Sequence, residues 1–159
     1  YMEHLGHPDS EPLRFGVNPS WFMEGLDSDI KHRIESLIVA IKDLGHEVHE
    51  ISMPAQSASL STYYVLATAE ASSNLARYDG IHAGYRAEQD DQSSLEEIYT
   101  KSRSEGFGPE VKRRILLGTY VLSKGYYDAY YGKAQKVRRL IQREYEEVFQ
   151  KVDVVIHTT

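Results

Sequence analysis

LRFGVNPSWFMEGLDSDIKHRIESLIVAIKDLGHEVHEISM, residues 13–53, decides the fold. Leu13 to Val17 is a short apolar strand closed by Asn18-Pro19. Gly25 and Asp27 open a helix, with Asp27 as its N-cap. Ile30, Ile34, Leu37, Ile38, Ile41 and Leu44 recur with the helical period, so one stripe faces a core. Gly45 follows the last periodic residue, where a left-handed C-cap belongs. His46 to Met53 is a second strand, with Val48 and Ile51 as its apolar positions. Strand, helix and strand in that order form a βαβ unit, and such a crossover makes the sheet parallel.

Downstream of Pro54, residues 58–78 read as a helix. Its apolar stripe is Leu60, Tyr64, Ala67, Ala71, Leu75 and Tyr78, flanked by Tyr63, Glu70, Asn74 and Arg77. Ala67, Ala69, Ala71, Ser72 and Ser73 are small enough to let another backbone approach closely. A polar loop covers 80–93, Ser93 or Ser94 caps a short helix through Arg103, and Ser94 with Glu97 matches a capping box. Pro109 fits the first turn of the next helix, whose second half, ILLGTYVL, is apolar all round and is expected to be buried. Gly125 interrupts, and a last helix spans roughly 126–150. It carries Tyr127, Tyr130, Ala134, Val137, Ile141 and Val148 on one face, with Tyr127, Tyr130 and Tyr131 expected in the core. Val152 to Ile156 reads as a buried central strand of the same sheet. Residues 1–12 read as irregular.

Composition sets limits. The chain has 159 residues, 41% of them hydrophobic, so one domain with a sizeable core is expected. A net charge of −6 does not favour nucleic acid unless a local basic patch or a partner supplies the attraction. No cysteine is present, which excludes disulfides and thiol chemistry within the chain. No apolar run approaches the roughly 18 residues of a membrane span. Six of the twelve tyrosines fall in three Tyr-Tyr pairs, which points to helices wedged into larger surroundings.

The common catalytic signatures are missing: there is no GxSxG elbow and no GxxxxGK[ST] loop. His46 and His49 fall on opposite faces of a strand, so they do not share a metal. Ser72-Ser73 has only Glu70 nearby as a base, on another helical face, so it reads as a tight helix contact rather than a nucleophile. Lys112-Arg113-Arg114 is either a solvated first turn, with Glu110 or Asp79 as internal partner, or a clamp for a carboxylate or phosphate. Cations there oppose the helix dipole, which favours a specific anionic partner for at least one arginine.

Three runs carry a family resemblance: YYVLATAEASSNLARYDG (63–80), SRSEGFGPEVKRRILLGTYVLSKGYYDAYYGKAQKVRRLI (102–141) and VDVVI (152–156). In them the chain resembles the A subunits of the aspartyl/glutamyl-tRNA(Asn/Gln) amidotransferases, members of the amidase-signature family, over a central to C-terminal segment. The resemblance implies a partial amidase-signature α/β fold, with the βαβ unit and several helices around part of a mixed or parallel sheet. It implies residues 1–159 as a single piece of an amidase domain. The implied activity is hydrolysis of glutamine to ammonia, which a partner protein uses to amidate Glu-tRNA(Gln) or Asp-tRNA(Asn). Implied partners are glutamine, the B and C subunits and, through the complex, aminoacyl-tRNA. No cofactor is implied for this chain, ATP and Mg belonging to the partner subunit. The implied location is the cytoplasm, or an organelle in a eukaryote.

The family's Ser–cis-Ser–Lys triad lies in a Gly/Ser-rich signature that this stretch does not contain. No catalytic residue is therefore carried over, and the segment alone is expected to be inactive and to self-associate. Two substrate contacts are carried over: Arg114, for the glutamine α-carboxylate, and Tyr63, lining the same pocket. Departures from the family pattern are His82-Ala83 in place of an Arg-Tyr pair, the opening GHPDSEP and the closing HTT. A non-catalytic interaction module built on this fold and a different amidase are the alternative readings.

Overall fold

A computed structural model describes residues 11–22, 25–89 and 92–158. The irregular reading of 1–10, with His4 and His7, lies outside them. The described residues form two compact units, one within 11–56 and 141–158, the other within 57–140.

The first unit holds the βαβ motif. Strand β1 (Arg14–Val17) leads through a 3-10 turn at Pro19–Phe22 to helix α1 (Ser28–Asp43) and strand β2 (Glu47–Glu50). The turn starts where Asn18 Oδ1 accepts from the backbone N–H and the hydroxyl of Ser20 at 3.1 and 2.8 Å. Asp27 caps α1 by accepting from the Asp29 N–H at 2.8 Å. Gly45 leaves the helix at φ +84°, a conformation that costs a glycine little. Strand β2 pairs parallel to β1, with Phe15 opposite Val48.

Strand β3 (Val154–Ile156) also pairs parallel to β1, so the order is β2-β1-β3. The expected central strand over 152–156 therefore differs in place. Among the described residues β1 is in the middle, and β3 begins two residues later than expected. Val152 is nevertheless fully buried, because it packs with Ile51, Met53 and Val148 in the core of this unit. Burial of that one side chain contributes about 1.5–3 kcal/mol. Gly16 makes the packing possible: a Cβ there would stand 3.0 Å from Val152 Cγ2 and 3.1 Å from Ile51 Cγ2. Asp153 locks the register of β3. Its carboxylate accepts from the Arg14 N–H, Nε and Nη2 at 2.9, 3.1 and 2.7 Å, while its own N–H donates to Arg14 O at 2.7 Å.

The second unit is helical: α2 (Ser59–Asn74), α3 (Leu95–Gly106) and α4 (Pro109–Leu122). The capping box predicted for α3 is present, Ser94 Oγ accepting from the Glu97 N–H at 3.2 Å and Glu97 from the Ser94 N–H at 2.8 Å. Pro109 occupies the first turn of α4, as expected. After Gly125 the chain makes a π-helical stretch, Tyr127–Gly132, before α5 (Lys133–Val148), a helix divided between the two units at residue 140.

Three expectations about burial fail here. The stripe assigned to α2 is not its buried face: Thr62, Leu66, Thr68 and Ala69 are buried, and Leu60, Tyr64 and Tyr78 are exposed. The reason is the approach of α4, whose Gly118 selects small and polar residues as the contact instead of the most apolar ones. The second half of α4 is not buried all round either; only Gly118 and Val121 are, and Leu116 and Leu117 face outward. Tyr127 and Tyr130 are about half exposed rather than core, and Tyr131 is only partly covered.

Candidate functional site

Helices α2 and α4 meet through a glycine. A Cβ on Gly118 would fall 1.9 Å from the backbone oxygen of Thr68 and 2.7 Å from Ser72 Oγ, so no other residue fits without displacing α2. The hydroxyls at this contact turn back into their own helix. Thr68 Oγ1 donates to Tyr64 O at 2.7 Å and Ser72 Oγ to Ala69 O at 2.8 Å. That satisfies them in a close contact, and it makes Ser72 a packing residue, as the small-residue reading expected.

Arg114 lies one helical turn before Gly118, on the same side of α4. This brings it to Tyr63, near the start of α2, fifty-one residues away in sequence. The Arg114 guanidinium lies beside the Tyr63 side chain and interacts with it electrostatically, and through Nε it donates to Glu110 Oε1 at 3.0 Å. Both partners hold the charged form of Arg114, Glu110 the more strongly, and raise its pKa above the ordinary arginine value. Reciprocally, the Arg114 hydrogen bond above all, with Arg113 adding to it, holds the Glu110 carboxyl below the usual range against the opposing effect of desolvation. The Tyr63 ring stands edge-on to Tyr64 with centroids 5.5 Å apart. Both Tyr63 and the Arg114 side chain remain roughly half exposed, at 53% and 42%, so a ligand can reach them.

The three cations of the KRR run are thus sorted by geometry. Lys112 Nζ donates to Ser104 O at 2.6 Å, tying α4 to the end of α3. Arg113 points outward and donates to Glu110 Oε2 at 2.7 Å. Of the three, Arg114 turns toward the neighbouring helix. The internal partner weighed for this run is therefore Glu110; the other candidate, Asp79, is engaged elsewhere. Its carboxylate accepts from the Ile81 and His82 N–H groups at 2.8 Å and meets the His82 ring at 2.7 Å, the His82 hydrogen bond doing most to depress its pKa.

Two residues of this region were not legible beforehand. Arg103 donates to the carbonyls of Leu75 and Tyr78 at 2.8 and 3.0 Å, closing the end of α2. Buried Ser102 accepts from the Ala87 N–H at 3.0 Å and packs under Gly80. Both contacts bridge long sequence separations that no local pattern announces. Among the described residues no cluster of His, Asp or Glu is arranged to hold a metal ion, and no helix is long and apolar enough to cross a membrane. A half-exposed guanidinium with a phenol beside it has the chemistry to pair with a carboxylate.

Known proteins resemble the chain over nearly its whole length. The amidase family model matches residues 2–159. The A subunit of the glutamyl-tRNA(Gln) amidotransferase of Fusobacterium nucleatum is 54% identical over 156 residues, 98% of this chain and 31% of that protein. Its counterpart in Geobacter sp. strain M21 is 54% identical over 144 residues, 91% of this chain and 29% of that protein. The crystal structure of the corresponding glutamyl-tRNA(Gln) amidotransferase A subunit from Thermotoga maritima superposes with a TM-score of 0.57 at 33% identity, covering 90% of this chain and 26% of the other. The chain thus spans less than a third of the length of these relatives, and its α/β architecture with a parallel three-stranded sheet agrees with that solved fold.

Proposed function

This chain belongs to the amidase family, and from that premise we propose that it is the glutamine-binding segment of an amidotransferase A subunit. The observation that carries the proposal is the meeting of Arg114 with Tyr63 across the α2–α4 contact. Arg114 receives the α-carboxylate of glutamine, and Tyr63 beside it borders the same pocket. Because Glu110 occupies Nε, the carboxylate meets the terminal amino groups. The reacting serines and lysine belong to the Gly/Ser-rich signature, which this stretch does not contain, so the segment binds and orients while the amide is cleaved elsewhere in the domain. Both compact units are parts of that one amidase domain.

The ammonia released serves amidation of Glu-tRNA(Gln) or Asp-tRNA(Asn) on the partner B subunit, with ATP and Mg held there and the C subunit completing the complex. The site of action is the cytoplasm, or an organelle in a eukaryote. The relatives' names support the tRNA-linked reading. The test is steady-state glutaminase kinetics of the full-length, assembled enzyme carrying Arg114→Ala. Loss of a charge-assisted contact raises KM for glutamine by about 10- to 150-fold, with kcat little changed. An unchanged KM removes Arg114 from the site. An assembled protein with no glutaminase activity even before mutation favours the non-catalytic module.

A further inference from the structure

We infer that Glu110 is a positioning residue for the carboxylate receptor, acting through Arg114; the inference rests on the reading of Arg114 given above. Glu110 follows Pro109 at the start of α4, and its two oxygens are divided between two arginines. Oε1 accepts from Arg114 Nε at 3.0 Å, one turn along the same face, and Oε2 accepts from Arg113 Nη1 at 2.7 Å. A carboxylate held at both oxygens has a fixed plane. Arg113 therefore anchors Glu110, and Glu110 in turn restrains the last torsion of Arg114. Tyr63, on the neighbouring helix, stands beside the guanidinium. What is left facing outward is a planar edge with its direction set in advance, which saves the ordering cost of a long, flexible side chain when a ligand binds.

Charge balance agrees with this role. Two arginines and one glutamate leave a net single positive charge, which matches one carboxylate.

Charge alone and positioning lead to opposite signs, which makes the inference decidable. Removing Glu110 takes a negative charge away from the anion's receptor, so a purely electrostatic role lowers KM. A positioning role raises it. In the full-length, assembled enzyme, Glu110→Ala is expected to raise KM for glutamine about tenfold with kcat within about twofold of wild type. Glu110→Gln, whose amide oxygen still accepts from Arg114 Nε, gives a smaller rise and guards against a folding defect in the alanine variant. In the Arg114→Ala background Glu110→Ala changes KM no further, because the group it positions is gone. A KM that stays level or falls in Glu110→Ala, while Arg114→Ala raises it, overturns the inference and leaves the Arg114 reading standing. A full additional rise in the double variant also overturns it. An unchanged KM in Arg114→Ala itself is the separate failure of the binding reading.

Discussion

Replacing Gly118 by alanine puts a methyl group where the backbone of α2 already stands. The new Cβ would lie 1.9 Å from Thr68 O, 2.6 Å from Thr68 C and 2.7 Å from Ser72 Oγ. Two of those three atoms are backbone, so no rotamer change relieves the clash. Helix α4 must retreat by about 1.5 Å to reach ordinary van der Waals separation. Alanine's better helix propensity returns at most about 1 kcal/mol, and overpacking of this kind costs about 1–3 kcal/mol or somewhat more. The net loss is about 1–2 kcal/mol, or about 4–16 °C in Tm for a domain of 60–100 residues and about 2–8 °C for one of 150–250. The same retreat carries Arg114 away from Tyr63, since Arg114 is one turn from Gly118. A shift of about 1.5 Å pulls apart the pair that borders the proposed carboxylate receptor, so KM for glutamine rises with the loss of stability. The assay is differential scanning calorimetry together with glutaminase kinetics on the full-length protein. Gly132→Ala is the control, because a Cβ there finds its nearest neighbour at a comfortable 3.7 Å. If Gly118→Ala melts with the wild type and keeps its KM, the α2–α4 contact does not set the site.

Asp153 gives a prediction with a defined pH dependence. Its pairing with Arg14, through the side-chain hydrogen bond above all, holds its pKa at about 2, against an unfolded value of about 3.9. A carboxyl depressed in this way contributes stability that is fully present above about pH 4 and is lost as the pH falls toward 2. Thermal melts of wild type and Asp153→Asn are therefore expected to differ at pH 7 and to converge as the pH falls from about 4 to about 2; a gap that stays constant with pH shows that the pair does not stabilise β3. The isolated segment, in turn, is expected to self-associate, because Leu116, Leu117, Tyr120, Tyr126, Tyr127 and Tyr130 are all exposed within the 57–140 unit. Light scattering and binding of a dye specific for apolar surface check this, and a monodisperse monomer that binds no dye contradicts it.

The βαβ unit was legible because its signals are local and agree with one another. Asp27, the Ile34–Ile38–Ile41 spacing, Gly45 and the two short apolar runs each specify a boundary or a face. The capping box of α3 and Pro109 of α4 were legible for the same reason. Burial along α2 and α4 was not. Periodicity ranks faces by hydrophobicity, and here the chosen contact is the one that permits closest approach, Gly118 on Thr68, rather than the most apolar one. The tyrosines of 120–131 misled for a related reason. Their rings pack against one another at tilted angles, with Tyr120 and Tyr126 centroids 4.4 Å apart, and interaction with Tyr126 above all pushes the Tyr120 hydroxyl up to about 12. Such a cluster satisfies itself while staying half exposed. As for the site, residue type and position on a helix entrance left the KRR run either an anion clamp or a solvated first turn, and the family resemblance chose Arg114. Its contact with Tyr63 needed the fold, since a separation of fifty-one residues leaves no trace in local pattern. Glu110 stood in view as an alternative partner for the same arginine, and the structure makes it a third member of the group.

The central claim is that Arg114 recognises the α-carboxylate of glutamine. It is tested most directly by comparing kcat/KM for glutamine with kcat/KM for the analogue that lacks only that carboxylate, in wild type and in Arg114→Ala. Wild type is expected to prefer glutamine, and the variant to lose about 10- to 150-fold of the preference, almost all of it through glutamine. If the variant loses activity on both compounds by the same factor, Arg114 does not touch the carboxylate and the claim is wrong.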